Sequence, residues 1–385
     1  MRYLWPIVFC FFSGLTLAQP IVPSAPQVAA DAYLLMDART GAVIAEDHAD
    51  KQLPPASLTK LMTSYVLASE IEDGRLRRDD TVVISENAWS QNPLFTGSSL
   101  MWLEPGMEVS VADIERGIVI SSGNDATVAI AEHIAGSESA FASLMNRHAE
   151  KLGLDATHFV NSHGLPHPEH LTTARDLAKL SAAIIERFPE HYTRYAERDY
   201  TFNNIRQYNR NSLLNEDPSV DGLKTGYTRE AGYGLVASAK RGDMRLISVV
   251  LGARSPTARK NETRGLLNYG FRFYETVPLL DAGVELKKPR VWKGVRDYVA
   301  VGVRDELVLT LPRGKRQDLE RQVVLEDDLL APLTVGDSVG ELTLLLDGEV
   351  QRQVPVVVLE PVAAGGFFAR LWDALLMWVA RIFSA

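Results

Sequence analysis

The sequence predicts an α/β sandwich whose sheet is mostly antiparallel and carries a helical subdomain, followed by a small all-β domain and a C-terminal amphipathic helix. Three observations predict it. Strand-like runs bracket a middle of helical periodicity up to about residue 280, short alternating strands follow, and residues 366–385 repeat apolar side chains at helical spacing. With 385 residues, 46% of them hydrophobic, the chain can bury one full core and a second, smaller one. The net charge of -9, with Lys and Arg scattered, excludes a nucleic-acid partner, which needs a clustered basic surface.

Residues 1–18 read as a signal peptide. Arg2 gives a positive start, residues 7–17 are apolar, and Thr16-Leu17-Ala18 surrounds a cleavage point. The apolar run is too short to span a bilayer comfortably. Cys10, the single cysteine, falls inside this segment, so the processed chain has no disulfide, thiolate nucleophile or cysteine metal site, which suits an oxidising compartment.

After a proline-dotted leader, residues 26–280 form the expected first domain. Strands at 32–36 and 42–45 are joined across Thr40-Gly41, helices follow at 57–68, 111–120, 125–134, 139–152 and 173–188, strands return at 232–239 and 245–251, and a last helix covers 261–269. Residues 281–362 form the expected β domain, with runs at 298–303, 307–311, 341–346 and 353–359 and a hairpin turn at Asp347-Gly348. It gathers no cluster of His, Ser or acid, and reads as a spacer or docking module.

In the tail, 366–385, Phe367, Phe368, Leu371, Trp372, Leu375, Trp378, Val379, Ile382 and Phe383 share one face, and Arg370, Asp373 and Arg381 the narrow opposite one. Burying those charges in a bilayer would cost about 2.5–3.5 kcal/mol each, so the helix is expected to lie on a membrane surface. The alternative is packing on its own protein.

Ser57-Leu58-Thr59-Lys60 places a hydroxyl and an amine one helical turn apart on one face. A lysine titrates near 10.4, so Lys60 becomes a base only if burial or a neighbouring cation lowers it by about three, at roughly 1.4 kcal/mol for each step. A helix N-terminus also offers backbone N–H groups to a developing oxyanion. A lone S-x-x-K is weak, but Ser122-Gly123-Asn124 follows in a turn-prone stretch, then Lys224-Thr225-Gly226, which runs toward a strand whose small Gly226 leaves room for a substrate backbone. Three such motifs in this order are a strong signal.

These motifs, with the surrounding stretches 55–63, 120–126, 206–211, 220–226 and 270–276, resemble the low-molecular-mass penicillin-binding proteins, the serine-type D-alanyl-D-alanine carboxypeptidases. The resemblance implies a β-lactamase/DD-peptidase-like fold and removal of the terminal D-alanine from peptidoglycan pentapeptides. It implies that Ser57 attacks the D-Ala-D-Ala carbonyl, Lys60 takes its proton, and Ser122 relays a proton to the leaving amine. Asn124 holds the substrate amide, Lys224 and Thr225 face the terminal carboxylate, Arg259 anchors it, and the backbone N–H groups of Ser57 and Tyr227 form the oxyanion hole. Arg210 and Gly226 complete the expected binding set. It further implies covalent capture of β-lactams, no cofactor or metal, export, and residence on the periplasmic face of the inner membrane through the tail helix.

Two departures stand out. Tyr227 occupies a position where several relatives carry His, which bears on deacylation. The stretch 163–170 holds His163, His167 and His170, but Pro166 and Pro168 deny it the ligand spacing of one helix face, and the resemblance implies a metal-independent loop beside the active site, with His163 and Asp176 as residues that shape it. Rival functions are a β-lactamase, for which Glu169 is the nearest candidate base, an endopeptidase cutting cross-links, and an inactive peptidoglycan-binding scaffold.

Overall fold

The computed structural model describes residues 22–383. The expected signal peptide and Cys10 lie outside the described residues. A five-stranded sheet runs in the order Val43–Asp47, Ala32–Asp37, Met244–Ala253, Gly232–Arg241, Val220–Thr228, with every neighbouring pair antiparallel. Period-two alternation builds its two faces. Leu34, Met36, Val236, Ile247 and Val249 point into a core with Leu61, Tyr65 and Leu177, whereas Tyr33, Leu35, Leu235, Leu246 and Val250 meet Leu266, Leu267 and Phe271 of the helix Pro256–Phe273. Sheet sandwiched between helices is the architecture the sequence predicts. A third core, including Phe95, Met101, Ile114, Ile118 and Ile130, fills the helical subdomain.

Three local departures position the site. Ser57 lies in a 3-10 turn, Ala56–Thr59, and the α-helix proper is Lys60–Glu72. The helix expected over 111–120 is α-helical only across Val111–Arg116; it widens into a π turn, Gly117–Ser121, and stops where Ser122 turns left-handed at φ 62°. Lys224-Thr225-Gly226 lies within the sheet's edge strand Val220–Thr228, not ahead of a strand. A hairpin, Asp199–Phe202 with Ile205–Tyr208, was also unforeseen; it turns through Asn203 and Asn204, both at positive φ (47° and 59°) as a tight hairpin needs.

The second unit holds a five-stranded sheet, Glu285–Lys287, Val301–Gly302, Glu349–Val358, Ser338–Leu346, Leu319–Leu325, around a core that includes Val301, Leu309, Leu342, Leu344 and Val356. The turn at Asp347-Gly348 forms as the sequence predicts. Strand Tyr274–Leu280 pairs with Leu307–Pro312, so the chain enters this unit directly from the preceding helix. The two units are knotted at Asp37. This fully buried carboxylate accepts hydrogen bonds from Thr276 Oγ1 (2.5 Å) and Thr310 Oγ1 (2.8 Å), while Arg39 forks onto Glu306 at 2.8 and 2.6 Å.

Helix Phe367–Phe383 leaves Phe368 82% and Trp378 63% exposed. Its Asp373 is not on an outward polar face: Oδ2 accepts the Lys293 backbone N–H at 2.5 Å, docking the helix on the β unit. Among the described residues, no helix is long and apolar enough to cross a membrane.

Candidate active site

The sheet's edge strand and the motif turn meet because Gly226 has no side chain. A Cβ there would lie 3.0 Å from the Pro55 carbonyl oxygen and 3.3 Å from the Leu58 nitrogen, so the space it leaves is taken by the protein's own Ser57 turn. Gly123 serves a similar close approach. Its Cβ would lie 2.9 Å from the Met101 nitrogen and 2.7 Å from Asp125 Oδ1.

Asp125 supplies the scaffold under this turn. Its buried carboxylate accepts backbone N–H bonds from Met101 (2.8 Å), Trp102 (2.8 Å) and Leu103 (3.1 Å), and the Asn124 N–H bonds the Ser99 carbonyl at 2.8 Å. Together these hold the 97–103 loop as one wall of a cleft of about 510 Å³.

Ser57, Ser122, Asn124 and Arg210 line this cleft, and Thr225, Gly226, Tyr227 and Arg259 line its other side. Lys60 and Lys224 stand behind the wall, 1% and 3% exposed. Among the described residues, no acidic side chain lines the cleft, while two guanidinium groups do, so its field favours an anion. Arg259 reaches the Gly226 and Gly234 carbonyls at 3.3 and 3.4 Å and sits 5.7 Å from the ring of Tyr233, which stacks on Tyr227 at 4.2 Å. Tyr227 itself is 53% exposed at the rim.

The Lys60 amine is the chemical centre. Its Nζ lies 3.2 Å from Ser57 Oγ, 2.7 Å from Asn124 Oδ1 and 2.7 Å from the His163 carbonyl oxygen. Burial brings it down from 10.5 to about 7; Asp125 and Glu138 oppose that and Arg210 adds to it. The partners dictate where the lone pair goes. Two of the three are carbonyl oxygens that can only accept, so a neutral amine gives them its two N–H bonds and turns its lone pair to the Ser57 hydroxyl.

Ser122, 1% exposed, faces the same space, and its hydroxyl has no hydrogen-bond partner among the described residues. Its left-handed backbone costs on the order of 1–3 kcal/mol, a strain of the kind found where geometry serves chemistry. Lys224, held well below its usual range by burial and by the positive field of Lys60, Arg210 and Arg259, donates to the Thr225 carbonyl at 3.2 Å.

The histidine-rich stretch divides its work. His163 Nδ1 accepts from the Leu165 N–H at 3.0 Å and Nε2 meets Glu138 at 3.2 Å, which fixes the carbonyl that Lys60 uses; burial and Lys60 push this ring down to about 3, so it is neutral. His170 Nδ1 accepts from Val160 N–H at 3.1 Å and Nε2 meets Thr59 Oγ1 at 2.8 Å, bracing the motif turn. His167 is exposed and caps its own turn through Glu169 N–H. Asp176 does not line the cleft; its carboxylate takes Ala156 N–H (3.1 Å) and the Thr157 hydroxyl (2.7 Å) instead. The residues that sequence reasoning missed are Asp125, Glu138 and the 97–99 wall. No local pattern marks them, because each acts on a partner distant in the chain.

A family model described as D-alanyl-D-alanine carboxypeptidase matches residues 19–255, and one described as the C-terminal domain of penicillin-binding protein 5 matches 274–364. The chain is similar to D-alanyl-D-alanine carboxypeptidase DacC of Escherichia coli, 46% identical over 97% of this chain and 95% of that one. Its fold is similar to that of penicillin binding protein 5 from Haemophilus influenzae, with a TM-score of 0.86 at 42% identity, covering 89% of this chain and 99% of that one. It is also similar to penicillin-binding protein D2 of Listeria monocytogenes in a cefotaxime-bound form, with a TM-score of 0.59 at 29% identity over 65% of this chain and 100% of that one. With both units matched and the likeness running along nearly its whole length, the chain belongs to the D-alanyl-D-alanine carboxypeptidases, a family of serine peptidases.

Proposed function

We propose that Ser57 is the nucleophile by which this carboxypeptidase removes the terminal D-alanine of peptidoglycan pentapeptides. The observation that carries the reading is the Lys60 amine: buried, brought down to about 7, and 3.2 Å from the Ser57 hydroxyl. The pentapeptide lies extended along the open edge of strand Val220–Thr228, and its C-terminal carboxylate meets Arg259 and Thr225. As Ser57 Oγ bonds the scissile carbonyl carbon, its proton passes to Lys60, and the oxyanion is held by the Ser57 and Tyr227 N–H groups. The C–N bond then breaks. A proton relayed through Ser122 goes to the departing D-alanine nitrogen, leaving an ester on Ser57 that water cleaves to the tetrapeptide acid.

β-Lactams enter by the same attack. Glu169 is exposed and outside the cleft, and among the described residues no carboxylate lines it to discharge a penicilloyl ester, so release is slow; this argues against a β-lactamase. We read residues 26–280 as the catalytic domain and 281–362 as the β domain, joined through strand Tyr274–Leu280. The exposed apolar face of the tail helix fits a peripheral position on the periplasmic side of the inner membrane, reached by export.

The test is incubation with benzylpenicillin, a pentapeptide muropeptide and a cross-linked dimer. The expected results are a stable adduct on Ser57 that Ser57→Ala abolishes, free D-alanine from the pentapeptide, and a largely uncut dimer. Rapid turnover of penicillin, or cleavage of the dimer in preference to the pentapeptide, would overturn the reading.

A further inference from the structure

A second polar constellation is buried behind the cleft. Ser64 Oγ lies 2.5 Å from His191 Nε2, His191 Nδ1 is hydrogen-bonded to Glu115 Oε1, and Tyr195 donates its hydroxyl proton to Ser64 Oγ at 2.8 Å. Ser64 and Glu115 are 1% exposed, His191 2% and Tyr195 0%. With the His191 proton on Nδ1, the donors run in one direction: Tyr195 to Ser64 to His191 to Glu115. Arg78 at 3.5 Å and Arg194 at 3.8 Å balance the second Glu115 oxygen. The order Ser, His, Glu has the form of a hydrolytic triad. Yet among the described residues Ser64 is 1% exposed, and the neighbouring cavity of about 280 Å³ is lined by His191 but not by Ser64. No substrate carbonyl can reach it.

The chain positions of its members suggest a different role. Ser64 stands one turn beyond Lys60 on the same helix. Glu115 stands on Val111–Arg116, which runs through the π turn straight into Ser122 and Asn124. The residue after His191, Tyr192, donates to Asp221 Oδ1 at 2.5 Å, and Arg245 grips the same oxygen at 2.7 Å. Asp221 belongs to strand Val220–Thr228, which carries Lys224 and Thr225. Ring contacts of Tyr195 with His191 (6.0 Å) and Tyr192 (5.9 Å) hold the three side chains as one body.

We propose that residues 189–196 form a positioning clamp, in which His191, Tyr192 and Tyr195 join from behind the three elements bearing Ser57 and Lys60, Ser122 and Asn124, and Lys224 and Thr225. The clamp sets the spacing of these groups in the cleft. It rests on the reading of Ser57 as nucleophile. Apolar packing tolerates small slips between elements, whereas the directional hydrogen bonds that link Tyr195, Ser64, His191 and Glu115, and Tyr192 to Asp221, restrict them to few arrangements. That difference matters here because a displacement of about 1 Å can slow a positioned reaction on the order of a hundredfold.

The experiment compares the full chain with His191→Ala, Tyr192→Phe and the double variant, following penicillin labelling by intact mass. Two quantities are read: the final fraction labelled and the rate at which it is reached. The clamp predicts complete labelling in each variant at a rate roughly tenfold to a hundredfold lower, with the double variant losing less than the product of the single losses because both changes loosen the same body. A merely structural role lowers the final fraction or the melting temperature and leaves the rate of the competent molecules within about twofold of wild type, and that result would overturn the clamp. Tyr192→Phe removes one hydroxyl and decides the matter by itself if His191→Ala does not fold. The nucleophile is tested separately: an adduct that persists in Ser57→Ala overturns that assignment, whatever the clamp variants do.

Discussion

Acidification probes Lys60 directly. The lowering from 10.5 to about 7, caused first by burial, corresponds to about 5 kcal/mol of preference for the neutral amine relative to water, at 1.36 kcal/mol per pKa unit. Near neutral pH about half the molecules then hold a lone pair toward Ser57, where an ordinary lysine would offer roughly one in 3,000. The active form is the deprotonated one, so acylation falls as pH falls through the folded value. The expected loss is about tenfold at pH 6 and a hundredfold at pH 5. Lys224 repels Lys60, so the observed limb belongs to the pair of amines. Asn124→Ala adds a second sign to check. It removes an acceptor 2.7 Å from the ammonium, and because hydrogen bonds to charged groups exceed neutral ones by about 1 kcal/mol, the limb moves to lower pH while the maximal rate drops. The assay is the rate of penicillin adduct formation by mass, with circular dichroism confirming the fold at each pH. A rate that is flat down to about pH 5, or a limb centred near 10, would remove Lys60 as the base.

Three further outcomes are expected. Ser122→Gly relieves the left-handed strain at φ 62° and deletes a hydroxyl with no partner among the described residues, so the melting temperature rises while D-alanine release falls on the order of a hundredfold or more; a lowered melting temperature would contradict the strain. Arg259→Gln removes one of the two cleft guanidiniums, and kcat/KM for pentapeptide drops roughly tenfold to a hundredfold, mostly in KM, with little change in the melting curve; an unchanged KM would discard Arg259 as the carboxylate anchor. Truncation after Gly365 abolishes cosedimentation with anionic lipid vesicles and spares activity on soluble pentapeptide, whereas vesicle binding that survives would relocate the membrane contact elsewhere.

The three motifs, their order and the family they point to were legible because each is a local string lying within one turn or strand. The β unit and the tail helix were legible from periodicity. What escaped was tertiary. The start of the strand at Val220, ahead of Lys224, was blurred by Gly222 and Gly226, which weaken a strand pattern, and its place at the sheet edge is set by pairing with Gly232–Arg241. Helical periodicity ran on through Gly117–Ser121, since a π turn keeps apolar residues inward while changing the hydrogen-bond spacing. Asp125 reads in sequence as an ordinary first-turn acid, yet its carboxylate builds the opposite wall of the cleft. The tail helix was legible as a helix with an apolar face, but Asp373 was grouped with Arg370 and Arg381 on one polar face, because nothing local announces that Asp373 meets the Lys293 N–H.

The knot at Asp37 carries an implication for reach. A carboxylate sealed between Thr276 and Thr310, with Arg39 gripping Glu306 alongside, leaves the joint without a swivel. The second unit then behaves as a strut of fixed length, not as a leash. With the tail helix on a membrane surface as proposed, the distance from that surface to the Ser57 opening would be a built dimension of the molecule, and it would select the strands of polymer that pass at that height.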